Sequence, residues 1–404
     1  MSRRKQVPLI FFMLIIILTE LSFLIFRPTI PFQAKKLSLK DYADKVITSC
    51  SKKNRAACYD REIPKLMDYI SMEDAFEVAK IVQKKDTEYL YCHVLGHNLS
   101  YRETGKNPNA WKDVIARCPT TMCNNGCLHG SLLKRFNSEK LTDEQVEAVK
   151  SELPDVCEPR GNWNPVEVEK SMCYHGMGHL HMYMTGADIQ KSLELCDFIA
   201  KKKNGKDYTL QCTQGVFMQI FQPLEPEDFA LVKGLTPSKE TLENFCIHYK
   251  DVPYNVCHTE SWPLFRDELY TPMGITEYCA YAKDSLEQKR CVSIAMSMLT
   301  TDIVIHQNDL NKLKDLCLGL PNRTMRSTCF SHAALRLIRI DAQYVSKAIE
   351  VCSLPDNNDA LEEDCFQNLV EESTFSFHRD SSNALSYCQK LPDPWSKKCI
   401  KRNS

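Results

Sequence analysis

The chain has 404 residues, 43% of them hydrophobic, with 51 lysines and arginines against 52 aspartates and glutamates, a formal net charge of −1. That is ample apolar material for one or two packed units, and far too long for a small disulfide knot that lacks a core. No basic stripe survives beyond the N-terminus to neutralise phosphates, which excludes nucleic acid as a partner.

At the N-terminus Arg3, Arg4 and Lys5 precede an apolar run from Pro8 to Phe26, broken only by Thr19, Glu20 and Ser22 and ended by Arg27. At a rise of about 1.5 Å per residue this run spans roughly 28 Å, close to the hydrocarbon thickness and longer than the core of a cleavable signal. It predicts a short cytoplasmic tail over 1–6, a transmembrane signal anchor over 7–27 and a linker over 28–45, with the membrane as partner. The competing reading is a removed signal peptide, supported by Glu20 within the run and a small-residue site at Ala34. Arg27, Lys35, Lys36 and Lys40 balance the positive residues before the run, so flank charge does not orient it. Cysteine chemistry does: twenty cysteines, an even count spread over the whole length, fit oxidised pairs and place the C-terminal bulk in an extracytoplasmic, oxidising compartment.

After Cys50 and Cys58, the region 46–195 is read as N-terminal helical hairpins carrying a histidine cluster. Cys92 is followed by His93 and His97, and Cys173 by His175 and His179. Each pair is His-x3-His, which on a helix places both imidazoles on one face within reach of a common ion. A tyrosine follows four residues after each second histidine, Tyr101 and Tyr183, so the two helices are relatives. His129, two residues after Cys127, supplies a third position of the same kind. If successive hairpins stack, His93, His97, His129, His175 and His179 line one surface, and neutral imidazoles there suit Zn, Cu, Fe or a bis-His haem. Cys157 and Cys173 pair as neighbours, whereas Cys92, Cys118, Cys123 and Cys127 leave three connectivities open.

Other chemistries fit less well. The spacing of Cys123, Cys127 and His129 is wrong for covalent c-type haem attachment, and His-Glu-x2-His is absent from the sequence. Glu103, Glu167 and Glu169 lie near the histidine helices as further ligand or base candidates, though spacing singles out none of them. His181, two residues past His179, is expected to point away from its face as a second-sphere or surface residue. His248, His258, His306, His332 and His378 are read as structural.

Beyond Cys196 and Cys212, the stretch 205–260 departs from the rhythm, with Pro223, Pro226 and Pro237 and a long gap before Cys246. From there Cys246 and Cys257, Cys279 and Cys291, Cys317 and Cys329, Cys352 and Cys365, and Cys388 and Cys399 recur at about 34 to 38 residues, the period of helix-turn-helix repeats. Between pairs the chain reads as two helices, as in Cys329 to Ile340 followed by Ala342 to Cys352, with Asp341 as the N-cap between them. Nearest-neighbour pairing uses every terminal cysteine from Cys50 to Cys399; pairing within a hairpin would strand Cys399.

The expected fold is therefore all-α: an N-terminal transmembrane helix followed by a disulfide-stapled array of αα-hairpins, an α-solenoid, with residues 196–404 forming its C-terminal repeats. Over roughly residues 118 to 404 this pattern resembles the cysteine-rich helical-repeat proteins of the Sel1-like kind. The resemblance implies the architecture and no functional residue, because the glycine and alanine positions of those repeats are not recognisable here. The expected function is a membrane-anchored extracytoplasmic protein with a histidine-rich transition-metal or haem site. The sequence singles out no substrate, so whether the site is that of an enzyme is left open. Two rivals share the same residues: a scaffold whose concave surface binds a protein partner without metal, and a pH-sensing surface.

Overall fold

The computed structural model describes residues 37–51, 54–86, 88–89, 92–119, 123, 126–136, 140–151, 153–159, 164–201, 205–224, 226–355 and 359–404. The anchor expected at 7–27 lies outside the described residues, and no described helix is long and apolar enough to cross a membrane. Among the described residues there is no strand. The helices are α1 Leu39–Ser49, α2 Arg55–Glu62, α3 Met72–Lys85, α4 His93–Lys106, α5 Trp111–Ala116, α6 Gly126–Phe136, α7 Asp143–Lys150 and α8 Glu167–Thr185. They continue with α9 Ile189–Ala200, α10 Thr209–Phe221, α11 Pro226–Leu231, α12 Leu242–Cys246, α13 Val252–Glu260, α14 Pro272–Tyr278 and α15 Ser285–Thr300. The last six are α16 Leu310–Leu318, α17 Arg323–Ile340, α18 Val345–Cys352, α19 Asp359–Ser376, α20 Ser382–Lys390 and α21 Trp395–Asn403.

Local signals set these boundaries. Ser38 and Asp41 form a capping box that starts α1 at Leu39, inside the stretch read as linker. Asn322 accepts from the Met325 backbone N–H and starts α17 at Arg323, six residues before Cys329. The cysteine is thus set inside the long helix and does not begin it. Asp341 accepts from the Gln343 backbone N–H, opening the short turn that leads into α18.

Most repeats are one long helix followed by a shorter one; α13 and α21, nine residues each, are truncated versions of the first helix. The long helices α4, α6, α8, α10, α13, α15, α17, α19 and α21 each pack on the next, and the short helices flank this row. Ten disulfides tie it: Cys50 to Cys58, Cys92 to Cys123, Cys118 to Cys127, Cys157 to Cys173, Cys196 to Cys212, Cys246 to Cys257, Cys279 to Cys291, Cys317 to Cys329, Cys352 to Cys365 and Cys388 to Cys399. In the C-terminal half each staple joins the short helix of one repeat to the long helix of the next, so it fixes the stacking of neighbours. No free cysteine is present among the described residues. Ten such bonds belong to an oxidising, extracytoplasmic environment.

Apolar side chains collect in three buried clusters, from Ala43 to Cys127, from Trp111 to Cys257 and from Leu269 to Cys399. The row of hairpins is not open-ended, because α8 also touches α19. Small rotations between repeats accumulate, and here they bring the C-terminal repeats back against the histidine-bearing helix.

At the end of α13 the carboxyl of Glu260 is 4% exposed, and the Gln222 side chain donates to it at 2.9 Å. Burial pushes its pKa up to about 8, against the hydrogen bonds from Gln222 and Gln214. The folded state therefore holds a proton that the unfolded chain, with the ordinary value of 4.5, has already released. Stability from this group is present at pH 4.5 and is lost as pH rises through about 8. Glu260→Gln is expected to flatten that fall; urea titrations at pH 5 and pH 9 should show the variant gaining at least about 1 kcal/mol on the native chain, since one pKa unit is worth about 1.4 kcal/mol.

Candidate metal centre

The five histidines come together because the long helices that carry them are consecutive in the stack. On α4 His93 and His97 share one face, and their Nε2 atoms lie 3.1 Å apart. On α8 His175 and His179 do the same at 3.2 Å. Between these helices runs α6, which presents His129 to both. The His129 ring centroid is 5.0 Å from His93, 5.2 Å from His97, 5.9 Å from His175 and 5.3 Å from His179.

Glycine permits this closeness. A Cβ at Gly126 would stand 2.1 Å from the His93 carbonyl oxygen, and one at Gly215 would stand 2.0 Å from that of His175. The helix pairs α4 with α6 and α8 with α10 therefore cross with backbones almost touching, which swings the histidine faces inward. Gly176 leaves the space that the His129 ring fills.

His93 and His129 are each 4% exposed, and the other three are half-buried. Burial first, and neighbouring imidazoles second, hold His97, His129 and His175 well below the ordinary histidine value. Burial also lowers His179, with Gln219 and Asp228 pulling the other way. These four rings are thus neutral at pH 7, and each keeps a nitrogen lone pair. His129 Nε2 is buried and has no hydrogen-bond partner among the described residues. One nitrogen each from His93, His97 and His129 lie within 4.8 Å of one another, a spacing at which a single ion could be held.

Around His179 a polar chain fixes the tautomer. Gln219 donates from Nε2 to Asp228 Oδ1 at 2.6 Å, so its amide oxygen is the atom that faces His179 Nδ1, also at 2.6 Å. A carboxylate only accepts, so the amide cannot be reversed, and Nδ1 must carry the hydrogen. That leaves His179 Nε2 bare, pointing toward His175. Tyr183 donates its hydroxyl to the same Asp228 oxygen. Such partners orient metal-binding histidines in general. Beside them opens a cavity of about 30 Å³, lined among others by His93, His97, His129, Tyr183 and Asp228.

The glutamates suggested by sequence are engaged elsewhere. Glu103 pairs with Arg117 and Lys106, Glu167 with Lys206 and the Tyr208 hydroxyl, and Glu169 accepts from the Val166 backbone N–H at the start of α8. The carboxylate that reaches the site is Asp228, on α11, and neither it nor Gln219 stood out in the sequence. The usable signal was the break in repeat rhythm over 205–260, since the irregular segment supplies both residues.

Of the two places expected for His181, second sphere or surface, the structure excludes the surface: the residue is fully buried. Its Nδ1 lies 3.6 and 3.7 Å from the sulfurs of Cys196 and Cys212. Burial pushes its pKa down to about 3. Those sulfurs are bonded to each other, so this second grouping of histidine and cysteine offers no thiolate to an ion. His258 stacks on Tyr281 with ring centroids 4.6 Å apart and sits 3.2 Å from Glu243, and His306 faces Asp302.

Fold and site together define a disulfide-stapled all-helical repeat protein with a buried five-histidine cluster. Compared with known proteins, the chain matches no family model, no curated protein and no solved structure, so the Sel1-like resemblance rests on the cysteine pattern alone.

Proposed function

We propose that this chain is a membrane-anchored, extracytoplasmic α-solenoid, held by residues 7–27, whose N-terminal hairpins bind a transition-metal ion through the histidine cluster. The observation that carries the reading is the convergence of His93 Nε2, His97 Nε2 and the buried His129, whose Nε2 has no hydrogen-bond partner among the described residues, on one small space. Bonds of about 2.0–2.1 Å to one ion put nitrogens 3.1 Å apart at an angle of about 100°, within the range of ordinary coordination. Neutral imidazoles favour Zn, Cu or Fe(II) over Mg or Ca, which prefer oxygen ligands.

The dimensions favour a bare ion over a haem. The rings already contact one another, with Nε2 atoms 3.1 and 3.2 Å apart within each pair, closer than the ~4 Å that two bonds of about 2.0 Å on opposite sides of one iron would need, and the space beside them is the size of a water or an ion.

The test is metal analysis of the full chain, made in an oxidising compartment and purified in detergent, before and after reconstitution with Zn²⁺, Cu²⁺ or Fe²⁺. Stoichiometric metal in the native chain that falls by at least one ion per chain in His93→Ala/His97→Ala, with far-UV circular dichroism unchanged, is the expected result. A metal-free chain under all three conditions would sink the reading and leave the protein-binding scaffold in its place.

A further inference from the structure

We propose that the cluster holds two ions, one on His93 and His97 and one on His175 and His179, with His129 between them. The proposal rests on the metal-binding reading above and goes beyond it in the number and placement of the ions.

The two pairs are built alike and separately. Each is an i, i+4 pair on its own helix, and the two Nε2 separations of 3.1 and 3.2 Å each match two neighbouring ligands of one ion. The nitrogens that gather within 4.8 Å are those of His93, His97 and His129, so an ion held there leaves the second pair unused. The His129 ring lies against all four others, and its nitrogen gathers with those of His93 and His97, so it completes the first site and stands between the two.

Outer partners support the second position independently. Gln219 and Asp228 fix His179 with Nε2 unprotonated and aimed at His175 Nε2. This device belongs to α8, α10 and α11 and does not involve the first pair. Two histidines leave coordination positions open at the second ion, and the cavity that runs from His93, His97 and His129 to His179 is lined there by Tyr183, Gln222 and Asp228. The class of ligand that suits these positions is small and oxygen-bearing, water or hydroxide in the resting protein, with Tyr183 and Gln222 as the hydrogen-bonding groups that would face it.

The experiment is a titration of the metal-stripped full chain with Zn²⁺, and separately with Co²⁺ for its visible absorption, counting bound ions per chain after desalting. The expected result is two ions in the native chain, one in His93→Ala/His97→Ala and one in His175→Ala/His179→Ala, with the disulfide-tied helicity retained in all three. Because a double alanine variant can disturb packing, Gln219→Met serves as a milder probe; it should weaken one ion by about 10–100-fold and leave the other unchanged. One ion in the native chain, abolished by either double variant, would overturn the two-ion proposal while leaving the metal-binding reading intact. No ion at all in the native chain would overturn both.

Discussion

A chain carrying Gly215→Ala should unfold at markedly lower denaturant than the native protein and should lose its metal affinity at the same time. The added methyl carbon would stand 2.0 Å from the carbonyl oxygen of His175 and 3.0 Å from the Gly178 Cα. Both obstacles are backbone, and no rotamer change can clear them. Helices α8 and α10 must therefore separate, within a cluster whose members Cys173, Met177, Cys212 and Val216 are fully buried. Overpacking of this kind costs about 1–3 kcal/mol and occasionally more. Because the displaced atom belongs to His175 itself, the shift moves that imidazole relative to His179 and His129. Gly105→Ala is the control: it lies in the exposed part of α4, where its Cβ would meet only the flexible Lys134 side chain at 3.3 Å. Alanine there should be neutral or slightly stabilising, by up to about 1 kcal/mol, through helix propensity. Equal losses in the two variants, read by urea titration, would show that the helix crossing is not what holds the site.

Cys92→Ala/Cys123→Ala should have the second large effect. These cysteines close a 31-residue loop, and restricting that loop in the unfolded chain is worth roughly 3–4 kcal/mol. The bond also interlocks with Cys118 to Cys127, since Cys118 lies inside the loop and Cys127 outside it. Cys92 immediately precedes His93 and Cys127 lies two residues before His129, so the two bonds clamp the starts of α4 and α6 against each other. Loss of the first should lower affinity for metal at His93 and His97 by tenfold or more as well as lowering stability. Cys388→Ala/Cys399→Ala removes the bond that closes an 11-residue loop in the last repeat and should cost a comparable ~3 kcal/mol. It should leave the metal titration unchanged. The contrast separates a general loss of stability from a local loss of preorganisation.

The repeat was legible in the cysteines because each staple is local. Where a bond joins the end of a short helix to the next long one, as with Cys317 to Cys329 or Cys352 to Cys365, adjacency along the chain already implies adjacency in space. The same logic failed between Cys92 and Cys127, where four cysteines are crowded into 36 residues and only the packing of α4 on α6 selects the crossed pairing. His93 with His97 and His175 with His179 were legible through helical periodicity, because a separation of four residues is a distance on any helix.

By itself, then, the sequence determined the all-helical repeat, the oxidised state of its cysteines and the two histidine pairs, all of which follow from contacts within one or two neighbouring helices. Tertiary structure alone decided that His129 meets both pairs, that Gln219 and Asp228 orient His179 while Glu103, Glu167 and Glu169 are spent on other contacts, that His181 is buried against a disulfide, and that α8 is touched by α19. The physical reason is one of range: periodicity reports which face of a helix a side chain occupies, but the register between helices is set where backbones meet, at Gly126 and Gly215, and a shift of one turn there would bring a different set of side chains together.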